Sequence, residues 1–206
     1  MYKRHSVFKH YISMAIKAGL AKHNPYDDFK IVRGKSKEPT WLTEDEMKLI
    51  ENWKPVSDKL SKVRDIFVFQ SYTGLAYVDV LNFDKSKIEV QTGKEIIRSS
   101  RTKTNEAFIS LLLPKAKAIL EKYDYCLPVI TNQKYNDYLK LVGAGAGLSK
   151  VLTSHVARHT YATYLINNGI SILTVSKALG HSNTKMSEHY AKLLGKTVIN
   201  EMSKLM

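Results

Sequence analysis

His155 and Arg158 stand three residues apart in Ser154-His155-Val156-Ala157-Arg158-His159, a spacing that puts both side chains on one face of a helix. From there Arg158 can offer paired N–H donors to phosphate oxygens while His155 adds a hydrogen bond beside it. His181 follows Leu179-Gly180 at a helix end, ahead of Ser182-Asn183, where its ring can donate to the same group. Tyr190 comes nine residues later, in a short polar helix expected over residues 184–191. A phenol there can swing toward the bound anion and lose its proton as it attacks, and cationic neighbours favour the phenolate over an ordinary pKa of roughly 10. Splitting a phosphodiester covalently needs such a nucleophile, positive charge on the nonbridging oxygens, and an acid for the departing hydroxyl. The chain has 12 tyrosines, so position rather than residue type singles out Tyr190. His189 beside it is expected to pack or face solvent.

A metal site is the first competing chemistry, because His155 and His159 have the i, i+4 spacing of helical zinc pairs. Val156 occupies the place where the H-E-x-x-H pattern needs its glutamate, and Cys126 is the lone cysteine. No metal and no cofactor are therefore expected. A lone cysteine also excludes an intrachain disulfide and fits a reducing compartment.

The elements that must position these residues are mostly helices. Thr43 with Glu46 forms a capping box that opens a helix, and residues 60–73 repeat apolar side chains on one face up to a stop at Gly74. Helices are also expected over residues 114–123, 134–142, 154–168, 172–179 and 198–205. Between residues 87 and 112 the texture changes: Ile88 and Val90, the turn Thr92-Gly93, then residues 95–101 and 107–111 read as short antiparallel strands. The run Gly143-Ala144-Gly145-Ala146-Gly147 reads as a flexible loop. The fold class is α+β, mainly α, a helical domain with a small three-stranded antiparallel sheet.

The order H-x-x-R, L-G-H, Y resembles the signature of the tyrosine site-specific recombinases of the phage integrase family, over about residues 40–191. That resemblance implies a DNA breaking-rejoining fold and a reaction through a 3′ phosphotyrosine. It assigns Lys103, in Arg101-Thr102-Lys103-Thr104 on the hairpin of the second and third strands, to protonate the leaving 5′ oxygen. It places Asp79, in Thr73-Gly74-Leu75-Ala76-Tyr77-Val78-Asp79, as the acidic residue that props catalytic side chains. It also exposes a departure: the turn Thr-Gly-Leu is normally followed by the first catalytic arginine, and here Ala76 stands there. Either activity is lost or another cation substitutes. Arg64 is the first candidate, its backbone about 14 Å upstream of Thr73 along a helix. Arg101 competes, since it shares a strand face with Lys103 by the two-residue period.

Residues 6–20 form one amphipathic helix that cannot bury its own face, and Lys30, Arg33, Lys35 and Lys37 follow in a stretch with few large apolar side chains. Residues 1–36 are accordingly expected to be the last helix of a truncated core-binding domain plus a basic linker, with the catalytic domain over 37–206. Across 206 residues, 32 Lys and Arg against 19 Asp and Glu leave a formal charge of +13, suited to a polyanion. No apolar stretch approaches the roughly 20 residues that span a bilayer, and no secretory leader is visible. A soluble, cytoplasmic protein bound to double-stranded DNA is expected. The resemblance implies four copies on two duplexes, with the free protein monomeric, and Val198, Ile199, Met202 and Leu205 offer an apolar face for docking on a neighbour or on the same chain. A DNA-binding module without catalysis and a type IB topoisomerase are the remaining alternatives.

Overall fold

The structure, a computed structural model, describes residues 2–29, 31–32, 39–102 and 105–181. Tyr190, Lys103 and the expected final helix lie outside the described residues. The chain divides into two compact units, Met1–Glu38 and Pro39–Met206. In the first, α1 (Tyr2–Lys17) buries none of its residues. It starts and ends earlier than its apolar spacing suggests, closed by Gly19 at φ +73°. A turn is tied back to it by Asn24, whose amide donates to Ser13 Oγ at 3.0 Å and accepts from Tyr26 N–H at 3.0 Å.

The second unit is built around α3 (Asp58–Thr73), which packs against α2 (Glu44–Asn52), α5 (Pro114–Lys122), α6 (Asn132–Gly145) and α7 (Ser154–Asn167). A helix with neighbours on all sides must bury its polar side chains too, and these find partners. Gln70 donates to the Leu75 carbonyl at 3.1 Å and accepts from Tyr135 Oη at 2.6 Å. The capping box at Thr43 forms as its sequence demands, with Glu46 accepting from Thr43 N–H at 2.8 Å and Thr43 Oγ1 from Glu46 N–H at 3.3 Å. Gly74, at φ +67°, ends α3 in the left-handed region, and the short helix α4 (Tyr77–Leu81) starts at once.

Strands β1 (Ile88–Gln91), β2 (Lys94–Ser100) and β3 (Ala107–Leu111) form an antiparallel sheet in chain order. Thr92 and Gly93 both take positive φ, at +48° and +73°, which matches the twist of a two-residue hairpin turn. Ile97, Phe108 and Ser110 face the core. Helix α8 (Ile172–Ala178) packs against β3 and α7.

One expectation is corrected. The glycine-alanine run is not a flexible loop, because α6 continues through Gly145. A Cβ at Gly145 would come within 2.4 Å of the Trp53 ring, and one at Gly143 within 3.0 Å of Leu152. Small residues are used here for close packing, and only Gly147, at φ +76°, serves the chain reversal. Among the described residues no helix is long and apolar enough to cross a membrane, and no group of His, Cys, Asp and Glu could hold a metal ion.

Candidate active site

Three turns converge on one pair of guanidinium groups. The first is Gly74-Leu75-Ala76, between α3 and α4, with Gly74 left-handed and Leu75 buried. The second is the end of α8, where Gly180 takes φ +58° directly after Leu179. Arg158 on α7 donates to both carbonyls, at 2.7 Å to Gly74 and 2.5 Å to Leu179. The third is the β2–β3 connection. Its Arg101 donates through Nε to Leu179 O at 2.7 Å and through Nη2 to Gly74 O at 3.4 Å. The two arginines thus share the same pair of backbone acceptors.

Arg101 is buried at 6% exposure. Its remaining donor forms an ion pair with Asp79 in the first turn of α4, and its guanidinium carbon lies 4.0 Å from the centroid of the Phe108 ring. Burial presses this guanidinium below the usual arginine range, and the hydrogen bond and charge of Asp79 oppose that. The absent side chain of Gly180 makes the arrangement possible, since a Cβ there would sit 2.9 Å from Arg101 Cγ and Nε. The glycine of Leu179-Gly180-His181 therefore serves two needs, a backbone turn and room for a guanidinium.

His181 follows directly, its N–H bonded to Ser176 O at 3.0 Å. Burial, then the charges of Arg158, Arg101 and His159, push its pKa down to about 4, so the imidazole is neutral at neutral pH. His155 lies exposed on the first turn of α7, one turn before Arg158. The N-terminus of α7 is fixed by Thr153, which accepts from Val156 N–H at 3.3 Å.

The structure thus gathers Arg158, His181, Asp79 and Arg101, with His155 on the helix that carries Arg158. It does not bring in Arg64. That guanidinium is held by Asp65 through Nε at 3.0 Å and Nη2 at 2.8 Å, and by the Trp53 carbonyl through Nη1 at 2.5 Å. Sequence reasoning missed two contributors. His159 adds to the field at His181, and Thr102 binds Asp79 through its N–H at 3.3 Å and its hydroxyl at 3.2 Å. The first had a signal, its place directly after Arg158. The second had none.

Chemically, a pair of guanidinium groups beside an imidazole is an arrangement that can receive an anion. Backbone carbonyls orient both guanidinium groups, and Asp79 pairs with Arg101.

A family model described as the phage integrase family matches residues 40–196. The tyrosine recombinase XerA of Saccharolobus solfataricus is 30% identical over 138 residues, covering 65% of this chain and 47% of the relative. The chain spans about half the length of the curated relatives it matches. Among solved structures, that of XerA recombinase has a TM-score of 0.60 at 25% identity and covers 82% of this chain and 66% of that one. A lambda integrase dimer bound to a COC′ core site reaches a TM-score of 0.70 at 18% identity, over 90% of this chain and 70% of that one. The latter likeness is one of fold.

Proposed function

The chain belongs to the phage integrase family, and from that premise we propose that its second unit breaks and rejoins DNA at specific sites through a 3′ phosphotyrosine, with Arg101 in the place of the missing arginine of the Thr-Gly-Leu turn. The observation that carries this is the shared seating of Arg101 and Arg158 on the Gly74 and Leu179 carbonyls beside His181. A pentavalent phosphorus spreads negative charge over its nonbridging oxygens, and two guanidinium groups already held in position stabilise it without reorganising at the moment of reaction.

In this reading the Tyr190 hydroxyl attacks the scissile phosphorus and gives up its proton to solvent water. A Tyr190 Oη–P bond forms, the P–O5′ bond breaks, and Lys103 supplies the proton taken by the leaving oxygen. His181, neutral in the free protein, and His155 hydrogen-bond the phosphate. Because the phosphotyrosine retains the phosphodiester's energy, a 5′ hydroxyl of a partner strand reverses the step without ATP or metal. The double-stranded DNA partner, the exchange between duplexes by four copies, and the docking of residues 198–205 on a neighbour belong to the same proposal.

The deciding experiment is incubation with a nicked suicide DNA substrate. Wild type forms a covalent adduct, and Tyr190→Phe forms none. An adduct that persists in Tyr190→Phe rejects that nucleophile. DNA binding without any adduct in wild type returns the protein to a binding module.

A further inference from the structure

The Gly74 and Leu179 carbonyls seat both arginines, and one buried side chain meets the turn, the strand and the helix around them. Tyr161, three residues beyond Arg158 on α7, is 2% exposed. A Cβ on Gly74 would fall 2.2 Å from Tyr161 Cδ1 and 3.1 Å from Leu179 Cδ2. The phenol ring and the leucine side chain therefore fill the space that any other residue at 74 would need. Tyr161 and Leu179 lie in one apolar cluster with Ala162, Ile166, Val175 and Ala178. At its far end the phenol shares a hydrogen bond of 2.8 Å with Ser110 Oγ on β3, itself buried. Ser110 pairs with Ile97 of β2, the strand that leads into Arg101. Burial pushes the phenol above its usual range, against the lowering effect of Ser110 and of the Arg101 charge, so the hydroxyl keeps its proton at neutral pH.

We propose that Tyr161 is a positioning residue that sets the distance between the two carbonyls and, through Ser110, the reach of Arg101 to them, so that both guanidinium groups meet one phosphate in register. The inference rests on the reading of Arg101 and Arg158 as a phosphate clamp. The ring acts on the pair, since moving Gly74 against Leu179 redirects donors of both arginines at once. The hydroxyl acts on Arg101, because Ser110 belongs to the sheet that carries it. A phenol is rigid along its length, so an oxygen fixed on β3 also fixes the ring edge at Gly74.

A charge change in the substrate tells positioning from mere support of the fold. A methylphosphonate at the scissile position has no negative nonbridging oxygen and depends far less on a clamp. Adduct formation is timed at saturating DNA, per folded molecule, on nicked phosphate and methylphosphonate substrates, and each rate is divided by that of wild type on the same DNA. Arg101→Ala, with Tyr161 in place, tests the premise: it should be slow on the phosphate and near wild type on the methylphosphonate. Equal loss on both means that Arg101 is no clamp, and the proposal falls with that reading.

Tyr161→Leu is expected to lose about 10²-fold on the phosphate, the scale of a misplacement of about 1 Å, and to stay within about threefold of wild type on the methylphosphonate. Tyr161→Phe keeps the ring and removes one bond, so it should lose about fivefold on the phosphate only. Ser110→Ala should lose the same, and the double variant no more than either single one, because all three break the same bond. Ile166→Val, further along α7 in the same cluster, lowers stability and should match wild type on both substrates. A Tyr161→Phe rate equal to wild type overturns the proposal, even where Tyr161→Leu does not fold. So does a loss of the same size on both substrates, which leaves Tyr161 a core residue only. Single losses that multiply in the double variant, or a phosphate-only loss in Ile166→Val, overturn it as well.

Discussion

Arg64 and Arg101 each meet an aspartate inside the second unit, and the formal charge around the two aspartates is similar. Asp65 receives Arg64, Lys122 Nζ at 2.6 Å and Tyr123 Oη at 2.8 Å. Asp79 receives Arg101, with Arg158 close by on the shared carbonyls. The difference lies in where the donors end. At Asp65 both cations and a phenol converge on the carboxylate, and what is left of Arg64 goes to Trp53 O. At Asp79 the carboxylate takes Arg101, Thr102 and the Ala76 N–H, and Leu179 O and Gly74 O accept the other Arg101 donors. A carboxylate carries formal charge against the cations that converge on it, while a carbonyl orients a guanidinium and carries none. On the proposed reading, the same residue types give a structural tie in one place and a phosphate clamp in the other.

The comparison breaks most visibly under alanine. Arg101→Ala is expected to slow adduct formation by about 10² to 10³-fold, the usual loss when one donor to a developing oxyanion is removed. Arg64→Ala should change that rate by no more than a few fold per folded molecule while lowering stability by about 1–3 kcal/mol, because a buried carboxylate loses its arginine. The pair is read by single-turnover adduct kinetics and by urea melts. Equal kinetic losses from both variants would erase the distinction. Ala76→Arg placed in Arg101→Ala sharpens it, since a guanidinium returned to the turn beside Gly74 should recover roughly a tenfold gain in rate, one bidentate contact's worth.

This contrast was only partly legible in the chain. Alternation wrote the sheet plainly, and the spacing of Thr43 and Glu46 wrote the start of α2. For the site, the i, i+3 pair placed His155 and Arg158 on one helix, but the choice between Arg64 and Arg101 could not be made from proximity along the backbone. The clue to Arg101 was the strand period. With Ile97 facing the core, Ser99 and then Arg101 continue the inward face, so the guanidinium points to the interior whichever face Lys103 takes. What no local pattern carried was the pair of shared carbonyls, because they belong to Gly74 and Leu179, 105 residues apart in sequence. The Gly143 to Gly147 run misled for a related reason: glycines that make room for Trp53 and Leu152 read like glycines that make a loop flexible.

Two glycines next to the two arginines give the second, intermediate test. Gly180→Ala forces a Cβ to 2.9 Å from Arg101 in a left-handed backbone, at a cost of about 1–3 kcal/mol. It should also displace Arg101 and so reduce the adduct rate of the folded protein. Gly145→Ala drives a Cβ to 2.4 Å from Trp53, whose carbonyl holds Arg64, with a comparable loss of about 1–3 kcal/mol from overpacking. Its folded fraction should react at the wild-type rate. A kinetic defect in Gly145→Ala that survives correction for folding would tie the two regions together and undo their separation.

The smallest effects are in the pH dependence of stability, and the two regions should titrate in separate windows. Burial, with Arg158, Arg101 and His159, holds His181 near 4 against an ordinary 6.5. Between those values the unfolded chain binds more protons than the folded one, so the His181 contribution is fully present above about pH 6.5 and is lost as pH falls toward 4. At Asp65 burial alone would raise the carboxyl, but hydrogen bonds from Lys122, Arg64 and Tyr123 outweigh it and keep it below 3.8. That contribution is present above pH 3.8 and disappears only as pH falls through the lower folded value. Melting temperatures from pH 8 to pH 3 resolve the two. His181→Gln, which cannot take up the proton, should flatten the slope between 6.5 and 4 relative to wild type, and Asp65→Asn should flatten it only below that range. If His181→Gln left the upper window unchanged, the imidazole would not be held below its ordinary range by its burial beside the two arginines, and the two regions would not titrate apart.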